Sequence, residues 1–233
     1  MIFGLHAVEA ALSNPNRPLL RLLATENAAH RLGPLIAKRK ITPEPVLPKD
    51  LDRLLGPDTV HQGVALEVGP LAPVGLDDID PNGILLVLDQ VTDPHNVGAA
   101  LRSAAAFGAA GLVLTERHSP PLAGVLAKAA SGALDLVPIV LVKNLAQALT
   151  ELGDRGVLRI GLAEEAEGAL EDAPLTRPLA LVLGAEGKGL RQLTRERCDS
   201  LCRISTVSAL ASLNVSNAAA IAMHWASLKT QIT

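Results

Sequence analysis

The sequence predicts an α/β chain, with a small mixed module at the N-terminus followed by a larger domain built on a parallel sheet with helices on both faces. Three observations point there. Short, uninterrupted apolar runs recur after residue 83, the pattern of strands buried on both faces. Segments with helical spacing separate these runs, and such βα alternation defines a parallel sheet. The 233 residues are 48% hydrophobic and 19% charged, a globular composition able to bury a full core.

The N-terminal part reads as follows. HAVEAAL near the start has helical spacing, LLRLLAT (19–25) is a strand, and residues 26–40 form a helix ending in Lys38, Arg39 and Lys40. TVHQGVALEV (59–68) alternates as a final strand. In the larger part GILLVLD (83–89) is a buried strand, with a helix over 97–107. GLVLT (111–115) is the next strand, then a helical segment from about residue 122. LVPIVLV (136–142), a helix over 145–152 and GVLRIGLA (156–163) follow. PLALVLG (178–184) is another apolar strand, LRQLTRE (190–196) a short helix, and residues 214–229 an Ala-rich closing helix.

Charge and composition divide the chain. Residues 1–60 carry eight Lys/Arg against six Asp/Glu, residues 61–80 carry four acids and no Lys or Arg, and residues 81–233 carry thirteen bases against fourteen acids. The stretch GPLAPVGLDDIDPNG within this boundary is rich in Pro, Gly and Asp, which cannot continue a helix. The expected division is a module at 1–70, a linker at 71–82 and a domain at 83–233.

No apolar run approaches the roughly 18 residues of a membrane span, and His6 and Glu9 interrupt what would be a signal core. A soluble, cytoplasmic protein is expected. Cys198 and Cys202 lack the neighbouring ligands that zinc requires, so no metal is expected and the two read as packed, reduced thiols. Only Phe3, Phe107 and Trp225 are aromatic, which excludes a base-stacking platform of interleaved aromatics.

Three constellations carry chemistry. In LDQVTDPHNVGAALRSAAAFG (88–108) a loop follows a strand's carboxyl end, where open α/β sheets place ligands. Asn96 there is either a helix cap or a site residue, and Arg102 either a surface charge or a site residue. In LVLGAEGKGL (181–190) glycines at 184, 187 and 189 let a ligand approach main-chain amides. Their order is neither a Walker loop nor a good dinucleotide fingerprint, and Glu186 stands out among them. In RISTVSALASLNVSNAAA (203–220), Ser212, Asn214, Ser216 and Asn217 surround a loop-to-helix transition. Ser212 or Asn214 suits an ordinary N-cap, and no nucleophile elbow surrounds Ser212.

Together DPHNVGAALRSA, LGAEGKGL and SLNVSNA, in this order, resemble the signature motifs of the SpoU/TrmH family of RNA ribose 2′-O-methyltransferases. FGLHAVEAAL and VHQGVALEV resemble the N-terminal, L30e-like RNA-binding module of its bacterial 23S rRNA guanosine 2′-O-methyltransferase branch. The resemblance implies a SPOUT domain with a trefoil knot, a homodimer with its active site near the subunit interface, and S-adenosylmethionine as cofactor. Carried over by position, Leu183, Gly184, Gly187, Ile204 and Leu213 would contact that cofactor. Arg102 would act on the ribose hydroxyl, with Asn96, Glu186, Ser212 and Asn214 around it. A guanidinium keeps its proton, with a pKa above about 12, so Arg102 either stabilises the developing alkoxide or grips a phosphate, and is a base only if strongly perturbed. One departure is plain: where the family reads Ile-Pro-Met and then a glycine, this chain has Ile204-Ser205-Thr206-Val207-Ser208. It bears on the adenosine contacts.

RNA capture would fall to Arg31, Lys38, Arg39 and Lys40 in the N-terminal module and to Lys188, Arg191, Arg195 and Arg197 beside the glycine loop. The formal net charge of −3 conceals these two basic strips. Two alternatives stand beside this reading: a tRNA ribose methyltransferase of the same family, and a non-catalytic RNA-binding protein of this fold.

Overall fold

The computed structural model describes residues 1–122, 125–207 and 213–230. It forms two compact units, Met1–Ala72 with Pro121–Leu136, and Pro73–Pro120 with Val137–Thr233. Pro121–Leu136, which the sequence reading assigns to the larger domain, is part of the first unit for a physical reason. Its Leu126, Ala127, Ala130, Ala133 and Leu134 are buried. Gly132, at φ +95, lies where a Cβ would come within 2.8 Å of Ala10 Cβ. Asp135 accepts hydrogen bonds from Arg17 Nε at 2.6 Å and Asn14 Nδ2 at 3.1 Å.

In the first unit β1 (Ile2–Phe3), α1 (Leu5–Ser13), β2 (Leu19–Ala24), α2 (Glu26–Arg31), α3 (Gly33–Arg39), β3 (Pro43–Pro45), α4 (Pro48–Leu55) and β4 (Val64–Val68) follow in order. Its sheet runs β1-β4-β2-β3, with β4 antiparallel to both neighbours. Val8, Ala11 and Leu12 of α1 pack with Leu22, Val64 and Leu66 to form its core. The single helix expected over 26–40 is two. Pro34 has no amide to give the preceding turn, so the chain re-starts at α3 with the proline in its first turn. The expected strand 59–68 begins only at Val64, because Gln62 and Gly63 take positive φ.

The second unit holds β5 (Ile84–Asp89), α5 (Pro94–Ala106), β6 (Gly111–Thr115), β7 (Ile139–Val142), α7 (Leu145–Asp154), β8 (Leu158–Leu162), β9 (Gly168–Ala169), β10 (Leu179–Gly184), α8 (Gln192–Glu196), β11 (Ser200–Arg203) and α9 (Val215–Lys229); α6 (Val125–Ala130) is the helix of the first unit's added segment. Seven parallel strands run in the order β7-β6-β5-β10-β8-β11-β9. β5 is buried along its length. Leu85 and Val87 point into a cluster with Val113, Val182 and the α7 residues Leu145, Leu149 and Leu152. Ile84, Leu86 and Leu88 therefore face the other side, and α9 packs on α5, β5 and β10. Val74, Leu76 and Ile79, inside the stretch read as a linker, pack against the Leu85 cluster.

Four strands, β1 and β3 in the first unit and β9 and β11 in the second, are not foreseen from the sequence. β11 is polar and is held by an ion pair: the Arg159 guanidinium grips Asp199 at 2.5 and 3.0 Å, and Asp199 also accepts the Arg159 amide at 2.7 Å. Gly153 leaves the space for this arginine, since a Cβ there would meet Arg159 Nη1 at 2.1 Å. No helix among the described residues is long and apolar enough to cross a membrane.

Cys198 and Cys202 are both free thiols. Cys198 is half-buried, its Sγ donates to the Thr194 carbonyl at 3.3 Å, and burial pushes its pKa up to about 12. A thiolate is the reactive form, so native protein at pH 8 should label at Cys198 far more slowly with a disulfide reagent than unfolded protein does. Leu86, fully buried in β5, provides a second check: Leu86→Ala should lower the unfolding free energy by about 3 kcal/mol, measured by denaturant titration.

Candidate active site

The site is assembled at the carboxyl ends of β5, β8 and β10. Asp93 caps α5, its Oδ1 accepting the His95 amide at 2.9 Å, and Pro94 occupies the first turn. Asn96 therefore does not serve as the cap. Its Nδ2 instead donates to Glu186 Oε1 at 3.3 Å.

Glu186 rides on the glycine loop after β10. A Cβ on Gly184 would lie 2.0 Å from the Gly189 carbonyl carbon and 2.3 Å from the Leu190 nitrogen, so only glycine lets the loop fold back this closely. Gly189 N donates to the Ala185 carbonyl at 2.8 Å, closing the loop, while Gly187 and Gly189 take positive φ of 73 and 62. These are conformations other residues rarely adopt. Glu186 is thereby carried to the start of α9.

Asn214 is the N-cap of α9, accepting from Ser216 N at 2.9 Å and Ser216 Oγ at 2.6 Å. Its Nδ2 donates to Asn96 Oδ1 at 2.9 Å and also to Glu186 Oε1. Val215 N donates to the same Glu186 oxygen at 3.4 Å. One carboxylate oxygen thus ties three chain segments together, at a helix N-terminus whose dipole favours negative charge.

Arg102 stands apart from this network. It is exposed on α5, six residues beyond Asn96, or about 9 Å further along the helix axis. Ser212 and Ser208 lie outside the described residues, as does part of the chain whose threading would make the expected knot.

Leu183, Gly184, Gly187, Ile204 and Leu213 all line one cleft of about 270 Å³. Glu186 and Lys188 line it too, with Leu162, Glu164, Glu165, Arg195, Val215 and Ala218. The apolar members suit a flat heterocycle, the loop offers backbone, and the acids suit a positively charged centre, a donor set that fits S-adenosylmethionine. Ser205, where the family pattern has proline, donates to Glu171 Oε2 at 3.2 Å, and its neighbour Ile204 still faces the cleft. Sequence reasoning misses Glu164 and Glu165. The signal is present in two acids directly after a buried strand, but in the sequence they merge into a longer acidic stretch with no role of its own.

The basic residues sort into two groups. Arg31, Lys38, Lys40, Lys188 and Arg197 are exposed. Arg39 instead donates to the carbonyls of Leu12, Asn14 and Arg17, closing the end of α1. Arg191 binds Asp89 at 2.7 Å, and Arg195 pairs with Glu165. These three have structural partners that the charge pattern does not reveal.

Two family models cover most of the chain: the SpoU rRNA Methylase family over residues 83–224, and the RNA 2'-O ribose methyltransferase substrate binding family over residues 1–74. The 23S rRNA (guanosine-2'-O-)-methyltransferase RlmB of Photobacterium profundum is 40% identical over 242 residues, covering 100% of this chain and 98% of the relative. The SpoU methyltransferase AviRb from Streptomyces viridochromogenes, solved in complex with the cofactor AdoMet, shares the fold with a TM-score of 0.82 at 24% identity, covering 100% of this chain and 90% of that one. The A. aeolicus TrmH/SpoU tRNA modifying enzyme matches only 64% of this chain and 75% of its own, with a TM-score of 0.58 at 26% identity. The matched models, and a relative 40% identical from end to end, mean that this chain belongs to the SpoU rRNA methylase family.

Proposed function

We propose that this protein transfers a methyl group from S-adenosylmethionine to the ribose 2′-hydroxyl of a guanosine in 23S rRNA. The observation that carries the reading is the cleft. The five residues expected to contact the cofactor line it together, and Glu186 joins it to the Asn96–Asn214 network. End-to-end similarity to a 23S rRNA (guanosine-2'-O-)-methyltransferase supports the substrate.

When bound, the cofactor supplies a methyl group on a positively charged sulfur. The chain's own residues do the rest. Leu183, Ile204 and Leu213, which line the cleft, would hold the heterocycle, and Glu164, which lines it too, would complement the positive charge. Asn96, Glu186 and Asn214 hold the loops at the ends of β5 and β10 in fixed relation, which would keep a ribose hydroxyl oriented toward the cleft. Arg102, exposed on α5, donates hydrogen bonds to the ribose oxygen as its proton passes to solvent water, stabilising charge where it develops. Ser212, which lies outside the described residues, is assigned to the same shell by the family resemblance alone.

RNA is held through phosphate and shape, with the exposed Arg31, Lys38, Lys40, Lys188 and Arg197 as contacts. The first unit is the RNA-binding module. We further propose a homodimer acting in the cytoplasm. α9 supports the dimer, as Ile221 and Leu228 are 42% and 44% exposed on the stripe that carries Trp225. The indole Nε1 of Trp225 is buried with no hydrogen-bond partner among the described residues.

Arg102→Ala should retain cofactor binding by calorimetry and lose methyl transfer to 23S rRNA by at least about a hundredfold; near wild-type turnover would remove Arg102 from the reaction. RNA affinity should fall steeply between 50 and 200 mM salt, on the scale of about tenfold or more, while cofactor affinity changes little. A filter-binding series and a parallel calorimetric series measure the two.

A further inference from the structure

Asp89 has no part in the reading above, yet it is the most buried acid near the cleft. It ends β5, and its side chain is 0% exposed. A buried carboxylate is costly unless it is paired and hydrogen-bonded. Both compensations come from one residue: Arg191 donates its backbone amide to Oδ2 at 3.1 Å and its Nε to Oδ1 at 2.7 Å. The arginine itself is 46% exposed.

The location of this pair gives it meaning. Asp89 is in register with Gly184, the last residue of β10, from which the glycine loop departs. Arg191 is the residue at which the loop ends and α8 begins, and no side chain caps that helix. One carboxylate therefore stands beside the loop's start and grips its finish. Between them, Gly187 and Gly189 bring the large conformational freedom of glycine. Left unpinned, such a loop would have to be ordered at the moment a ligand binds, and that ordering weakens affinity.

We infer that Asp89 is a positioning residue that clasps the loop through Arg191 and so pre-forms the backbone side of the cofactor cleft. The inference rests on the cleft being the S-adenosylmethionine site. Asp89 touches neither the cleft's contents nor the reacting atoms, so its effect falls on cofactor affinity and not on the chemical step.

The test uses Asp89→Asn in the full-length protein. Hydrogen exchange without cofactor should show the amides of residues 187–191 exchanging faster, with those of β5 and α7 unchanged. Calorimetry should show S-adenosylmethionine binding weakened about tenfold or more. The KM for cofactor should rise in step, while kcat at saturating cofactor stays within about threefold and the KM for 23S rRNA is unchanged. Arg191→Ala, which keeps the backbone amide, should shift the same quantities by less, and the double variant should be no worse than Asp89→Asn. If Asp89→Asn does not fold, Arg191→Ala carries the test alone. Unchanged loop exchange and cofactor affinity would overturn the inference. So would a kcat loss at constant cofactor KM, a weakened 23S rRNA affinity, or faster exchange throughout the second unit. Should the wild-type protein fail to bind S-adenosylmethionine, the proposed function falls, whereas the loop exchange still reports on the clasp.

Discussion

A Cβ at Gly184 would sit 2.0 Å from the carbonyl carbon of Gly189, and that close approach of two backbone stretches conditions everything else at the site. Because β10 ends in a residue without a side chain, the chain can turn back on itself at once. The return brings Glu186 to the start of α9, where its carboxylate accepts from Asn96, Asn214 and Val215. Three segments separated widely in sequence become one rigid edge of a cleft. Any residue larger than glycine would push the loop away and separate Glu186 from both asparagines.

The same economy governs the charges. A formal net charge of −3 says little about an RNA partner, because several arginines are internal fasteners. Arg17 binds Asp135, Arg159 holds β11 through Asp199, and Arg39 closes α1 through three carbonyls. Such groups contribute to stability and are unavailable for phosphate. Of the eight basic residues expected to contact RNA, five, Arg31, Lys38, Lys40, Lys188 and Arg197, are exposed and are not engaged as Arg39, Arg191 and Arg195 are. With Phe3, Phe107 and Trp225 as the only aromatics, stacking adds little to it.

Much of this architecture is legible in the sequence. The apolar runs that become β5, β6 and β10 have no polar interruption, so their identity as buried strands follows from composition alone. The glycine loop and the motif residues stand out because glycine and charge rarely alternate in a plain turn. Other features depend on tertiary contacts that no local pattern encodes. The polar β11 exists because Arg159 finds Asp199 forty residues away. Spacing suggests Asn96 as a helix cap as readily as a site residue, and only the Asp93–His95 contact decides between them. The break between α2 and α3 at Pro34 is hidden by the continuous helical spacing of residues 26–40, and the membership of Pro121–Leu136 in the first unit has no local signal at all.

We propose that a cofactor cleft and an exposed Arg102 act together on a ribose in 23S rRNA. Mapping ribose methylation across 23S rRNA from cells lacking this gene tests it most directly. One guanosine 2′-O-methyl group should disappear, and it should return with the wild-type gene but not with Arg102→Ala. A methylation pattern in 23S rRNA identical to that of the parent cells would contradict it.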